Sequence, residues 1–328
     1  MTPWRLVLLA VGAALALAVL PLVGGHALPL AVLADVWGDD PAAIIFWRIR
    51  VPRALAAFVG GGGLALGGAV FQAVFRNPLA TPYTLGVATG ASCGVAVAST
   101  LGLSLTAAGL STTSVAAFSG AIAAVGVVWL LTRLRPELSS TTLLLAGVAM
   151  NFFFSSLILF AQYTASLGDS YRIVRWLMGG LGGVDITTVA HMTPLVAVGG
   201  VAVLLKAREL DLLATGSEIA ASRGVSVART RTVLFVATSV MISGVVAACG
   251  PVGFIGMMAP HICRLLVGAN HRMLLPASAL FGGAFLLLCD TAARTILFPA
   301  ELPVGVITAF LGAPFFLWLL VRQVRSSY

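Results

Sequence analysis

Ten predominantly apolar runs, at about 6–24, 54–75, 82–103, 115–132, 141–163, 189–205, 232–249, 251–267, 274–297 and 303–321, divide a sequence of 328 residues. Each is close to the roughly 20 residues that carry a helix across the hydrocarbon core of a bilayer. Lipid offers the backbone no hydrogen-bonding partners, so such runs are satisfied there as helices. The reading is an all-α integral membrane protein with about ten transmembrane helices, a single transmembrane domain over 1–328, and both termini on one side. The first run follows Trp4-Arg5 and is longer than the roughly 7–15 apolar residues of a secretory signal, so it is read as a span. The eighth is interrupted by Pro251, Gly253, Gly256 and Pro260, as in a kinked or discontinuous helix.

Composition agrees with this reading, because a chain that is 59% hydrophobic and 9% charged, with mean hydropathy +1.06, exceeds what one soluble core can bury. The net charge of +8 comes from basic residues standing singly between apolar runs, which is a pattern of topology and not of nucleic-acid binding. With the N-terminus cytoplasmic, the inner side receives Arg5, Arg76, Arg133, Arg135, Lys206, Arg208, Arg223, Arg229, Arg231, Arg264, Arg272, Arg322 and Arg325. The outer side receives Arg48, Arg50, Arg53, Arg172, Arg175 and Arg294, an asymmetry that follows the positive-inside rule. The 36 glycines suit closely packed membrane helices, and the run Gly60 to Gly68 lacks phosphate-loop spacing. Cys93, Cys249, Cys263 and Cys289 show no CxxC spacing and read as small buried side chains.

The only lysine, Lys206, follows Val-Leu-Leu and not a glycine-rich loop, so no Walker A lysine is present. Asp290 is the only acidic residue placed within a span, with Arg294 one turn further on as its natural counter-ion. Connections between bundled helices usually run about 2–8 residues, yet an inner loop extends from 206 to 231. It divides at Gly216 and Gly224 into two short amphipathic candidates, in which Leu210, Leu212, Leu213, Ile219, Ala220 and Val225 are expected to offer an apolar face to a partner.

Seven segments carry a family resemblance: RIRVPR (48–53), GGAVFQAVFRNPLATPYTLGVATGA (67–91), LLLAGVAMN (143–151), RWLMGGLGGVD (175–185), LDLLATGSEIAASRGV (210–225), GPVGFIGMMAPHICRLLVGANHRMLLP (250–276) and ELPVGVITAFLGAPFFLWLL (301–320). In this order they resemble the permease subunits of type II ABC importers, which carry iron siderophores, haem and vitamin B12. The resemblance implies a homodimer in the bacterial inner membrane with both termini cytoplasmic, a periplasmic substrate-binding protein outside, and two cytoplasmic ATPase subunits. These would hold the ATP and Mg, and the permease itself would bind no cofactor and catalyse nothing. It further implies that Arg50, Arg53 and Arg294 dock the binding protein, and that the ATPase couples to Leu210, Leu213, Gly216, Glu218, Ala220, Arg223 and Gly224. By the same resemblance Asn77, Leu79, Ser140 and Thr141 lie near the cytoplasmic gate. Met150, Asn151 and the phenylalanines 152 to 154 would face the path or pack behind it.

Arg172 and Arg175 near the outer mouth could hold two carboxylates, and with Trp176, Met178 and Met150 they would suit the propionates and flat ring of haem. Structural capping by the same arginines is the alternative. His261, Cys263 and His271 lack a fourth ligand and read as loop residues, so no metal site is expected. The expected function is import of an iron chelate, haem first, with a ferric siderophore or cobalamin as alternatives. An ion-coupled secondary transporter working through Asp290 is the rival of another class.

Overall fold

The computed structural model describes residues 4–36, 38, 40–103, 110–134 and 140–325, and among them it contains helices and no β-strand. In chain order these are α1 (Trp4–Val19), α2 (Pro41–Ile44), α3 (Val51–Val74), α4 (Val87–Thr100), α5 (Thr112–Leu134), α6 (Ser140–Thr164), α7 (Leu167–Leu177), α8 (Ile186–Leu205), α9 (Ala207–Thr215), α10 (Ser217–Ser222), α11 (Val227–Cys249), α12 (Ile255–Val267), α13 (His271–Thr295) and α14 (Val304–Arg325). Seven helical segments are long and apolar enough to cross a membrane, and α4, α12 and α14 are shorter apolar helices, so 7 + 3 corresponds to the ten runs.

Two runs are shorter as helices than as apolar sequence, for local reasons. Residues Pro82–Leu85 form a 3₁₀ turn that Thr81 caps through a reciprocal box with Thr84, and Gly86 then takes φ 85°, so α4 begins only at Val87. The eighth run breaks where Gly250 adopts φ 66° and Phe254 φ 67°, leaving α12 to start at Ile255 as the discontinuous helix expected from its prolines and glycines. One run is longer, because a π-helical turn, Ile45–Arg50, joins α2 to α3 and extends the helical segment back to Pro41.

The bundle is organised around α3, which is buried over almost its whole length; α13 lies along it, and α8, α11 and α12 also pack against it. Small residues make that approach possible. A Cβ at Gly68 would collide with the Gly256 carbonyl oxygen, and one at Gly61 with the Gly282 carbonyl oxygen. Between membrane helices close van der Waals contact replaces the missing hydrophobic drive. Helices α1 and α6 are mostly exposed, with Leu8, Leu15, Phe152 and Phe160 among their outward side chains.

The collision at Gly68 has a measurable consequence. Gly68→Val should abolish recovery of monodisperse protein in detergent, whereas Gly12→Ala, which meets nothing within 4 Å, should be recovered at the wild-type level. Size-exclusion profiles of the two variants decide this, and a normal profile for Gly68→Val would refute the packing argument.

Candidate functional site

Two polar surfaces stand at opposite ends of α13. At one end Asp290, fully buried, lies between two guanidiniums. Arg53 donates from Nε to both carboxylate oxygens at 3.0 Å, and Arg294 Nε donates to Oδ2 at 3.2 Å. Arg53 Nη1 also pairs with Glu301 at 2.7 Å. Arg294 reaches the Val23 carbonyl and the Thr291 hydroxyl, each at 3.2 Å. Arg50 donates to the carbonyls of Leu22 at 3.0 Å and His26 at 2.7 Å.

This corrects the placement of the three arginines expected to face a docking protein. Arg50, Arg53 and Arg294 are only 7%, 6% and 7% exposed, and their donors are used inside the subunit. An unpaired guanidinium at the edge of the hydrocarbon is costly, and a buried carboxylate with a ring of carbonyls removes that cost. The expected pairing of Asp290 with Arg294 is present, and Arg53, 237 residues away in sequence, completes the cluster.

Beside this cluster opens a cleft of about 690 Å³ whose walls include Arg53, Arg172, Arg175, Trp176, Asp185 and Glu301 and whose rim is the glycine-rich segment 179–183. Gly179 and Gly250 both take positive φ, and the Gly180 N–H donates to the Cys249 carbonyl at 2.9 Å. On the same break the Val252 N–H donates to the Tyr83 hydroxyl at 3.1 Å. The interrupted backbone between α11 and α12 is therefore satisfied by protein and not by lipid. Asp185 caps α8; the Thr188 hydroxyl and backbone N–H, followed by the Thr187 hydroxyl, hold its carboxyl down at about 2. It is a fixed negative charge on the cleft wall at neutral pH.

Arg172 is highly exposed but is bound to Asp169, whose carboxyl is lowered by the Ser166 hydroxyl and by Arg172 itself. Arg172 and Arg175 thus do not form a free pair, and Arg175 alone is left without an ion-pair partner among the described residues. Asn151 is half-buried. Its amide bridges the carbonyls of Tyr83 and Thr84 at 3.3 and 3.4 Å, and it accepts from the Thr89 hydroxyl at 2.6 Å, pinning α6 to the turn before α4. Met150 lies against Gly86 in the same contact, while Phe152 and Phe153 point outward.

At the other end of α13, α9 and α10 form the two short helices expected in the inner loop, divided at Gly216 with φ 147° and followed by Gly224 with φ 81°. Their expected apolar face is turned the other way. Leu210, Leu213 and Ala220 are 0%, 2% and 0% exposed and belong to the core of the subunit, because nine-residue α9 has its strongest apolar stripe available for its own bundle. The surface left open carries Ala214, Glu218, Ile219, Ser222, Arg223 and Gly224. A cavity of about 620 Å³ adjoins it, lined by Gln72, Arg76, Asn77, Asp211, Arg264 and His271. Asn77 makes an Asx turn, accepting from the Leu79 N–H at 2.9 Å, as a plain turn reading would have it. Ser140 opens α6, and the side chains of Ser140 and Thr141 lie outside the described residues.

Of the three residues weighed as metal ligands, Cys263 is buried, the His261 ring packs against Phe315, and His271 bonds Asp211. Glu301, Asp185, Tyr83 and Asp211 were assigned no role in the sequence reading. Only Asp185, just ahead of an apolar run, carries a local signal of its role, that of an N-cap.

The charge cluster makes a clear demand. Asp290→Asn leaves Arg53 and Arg294 buried without a full counter-charge and should cost about 3–5 kcal/mol of stability. Glu301→Gln, at a carboxylate 47% exposed, should cost far less. Thermal melts in detergent that rank the two variants in the opposite order would sink the cluster as a structural anchor.

A family model described as the FecCD transport family matches residues 6–322. The chain is 40% identical to an uncharacterized ABC transporter permease protein of Bacillus subtilis, over 89% of this chain and 83% of the relative. It is 42% identical to the vitamin B12 import system permease protein of Salmonella arizonae, over 88% and 86%. Among solved structures it superimposes on a metal-chelate type ABC transporter in an inward-facing conformation with TM-score 0.87 and 29% identity, covering 98% of this chain and 100% of that one.

Proposed function

The chain belongs to the FecCD transport family and is an ABC importer permease, and from that premise we propose that it carries a cobalamin-type metal chelate inward. The observation that carries the cargo assignment is the 42% identity to vitamin B12 permeases over most of the chain. The case for haem rested on a free arginine pair, and Arg172 is committed to Asp169. A ferric chelate is the second reading, supported by the likeness to a metal-chelate type transporter.

In this proposal two copies of the chain enclose the path in the bacterial inner membrane, with both termini cytoplasmic. Two ATPase subunits, holding the ATP and Mg, sit on the open face of α9 and α10. Support comes from the charge distribution: Arg76 and Arg264, both assigned to the inner side, line one cavity at the α9 end of α13. A periplasmic binding protein docks over the opposite cleft. Arg53 is the one docking candidate that reaches it, through Glu301, while Arg50 and Arg294 hold the floor in place. The permease supplies alternating access and no chemistry.

The ion-coupled alternative is disfavoured by Asp290, which has no exposure and two arginine partners, a poor arrangement for a carboxyl that must load and release a proton.

Uptake into proteoliposomes holding this chain with its ATPase and binding protein tests the assignment. We expect cobalamin to accumulate only with internal ATP, and haem or a ferric siderophore to accumulate far less. Accumulation of haem instead would overturn the cargo, and gradient-driven accumulation without ATP would overturn the mechanism.

A further inference from the structure

We propose that Asp211 of α9 is a positioning residue whose grip on His271, at the start of α13, transmits movement of the α9–α10 platform to the outer cleft. This rests on the reading of that platform as the seat of the ATPase.

One carboxylate oxygen makes both bonds. Asp211 Oδ1 accepts from the His271 backbone N–H at 2.9 Å and from His271 Nδ1 at 2.7 Å. The first N–H groups of a helix have no partner within it, and a carboxylate there also meets the positive end of the helix dipole. Asn270 caps the next N–H, that of Arg272, at 2.9 Å, so α13 takes one cap from its own chain neighbour and one from the platform. An ionised carboxylate only accepts, so the proton lies on Nδ1 and the ring orientation is set by Asp211.

The grip falls where α13 supports itself least. Pro276 has no N–H to donate to the Arg272 carbonyl, so the turn before it lacks a helical bond and leans on its external anchors. Beyond Pro276 the helix continues to Thr295, about 37 Å for its 25 residues. Its far end holds Asp290 and Arg294, locked to Arg53 and through it to Glu301 on the cleft wall.

Among the described residues a further polar tie joins the platform to a membrane helix. Lys206 pairs with Glu209 within the platform's own approach, and Arg231 of α11 donates to Ser217 of α10 at 2.8 Å. Leu210 and Leu213 pack α9 onto the bundle, and the two hydrogen bonds to one oxygen add a fixed direction to that contact. Asp211 is thus a directional tie from α9 to the helix that reaches the cleft, and α3, packed along α13, moves with it.

The test uses the full complex of permease, ATPase and binding protein, with two readouts: cargo molecules imported per ATP hydrolysed, and nucleotide-dependent labelling of a thiol at Gly183→Cys on the cleft rim. Three native cysteines are buried away from the cleft, Cys249 in the cleft wall is removed by Cys249→Ala in the probe background, and Gly183 has nothing within 4 Å of an added Cβ, so the probe is selective. In Asp211→Ala, import per ATP should fall about tenfold, the scale of one coupling contact, and labelling should no longer respond to nucleotide. ATP hydrolysis should persist. Asp211→Asn, which still accepts both bonds, should keep most of the coupling.

If Asp211→Ala fails to assemble, His271→Phe, which keeps the ring and the backbone bond but loses the Nδ1 bond, is measured the same way. Unchanged import per ATP together with unchanged labelling in whichever variant assembles would overturn the link alone. Wild-type uptake that needs no ATP would instead overturn the platform reading, and the link with it.

Discussion

A carboxylate shut away from solvent between two guanidiniums constrains everything around it. Removing the acid leaves Arg294 buried with no carboxylate and Arg53 held only by the half-exposed Glu301, so Asp290 is what joins the two arginines into one set. Because Arg53 opens α3 and the other two close α13, the set fixes the relative height of the two helices on which the bundle is built. The close contacts of Gly61 with Gly282 and of Gly283 with Phe58 already oppose a slip between the two helices, and the charges add to that register. They also show how a membrane protein keeps three arginines near one end of its bundle: tucked under the surface, with Val23, Leu22 and His26 carbonyls absorbing the donors that Asp290 does not.

From that register follow the two surfaces. The break between α11 and α12 is tolerable only because Tyr83 and the glycine-rich segment 179–183 satisfy its backbone, and that segment is at the same time the rim of the cleft. The floor of the cleft is the charge cluster. Its shape is therefore tied to α13, and α13 begins at the carboxylate of Asp211 on the opposite side of the membrane.

Much of this was legible in the sequence. Ten apolar runs became ten helices, the interrupted eighth run became a broken helix, and the long inner loop became two short helices divided at Gly216, because length, proline and glycine act locally. The Asp290–Arg294 pair is one helical turn apart and was visible for the same reason. What failed was direction. Leu210, Leu213 and Ala220, expected on a face offered to a partner, belong to the core of the subunit. In a helix apolar all round, periodicity does not distinguish lipid, protein and pore. The Arg53–Asp290 and Asp211–His271 contacts were illegible because their partners lie 237 and 60 residues apart and no local pattern joins them.

The same distinction bears on cargo. Recognition of a large chelate depends on which polar groups remain unspent at the mouth of the path, and that is a property of pairings and not of residue types. Arg172 and Arg175 look equivalent in the sequence, three residues apart on one helix, yet Asp169 neutralises the first and leaves the second. The cleft of about 690 Å³ is lined by Arg53, Arg172 and Arg175 together with Asp185 and Glu301, and of the three guanidiniums Arg175 is the one without an ion-pair partner among the described residues. A dicarboxylate ligand in this cleft would have to compete with Glu301 and Asp169 for two of its three guanidiniums.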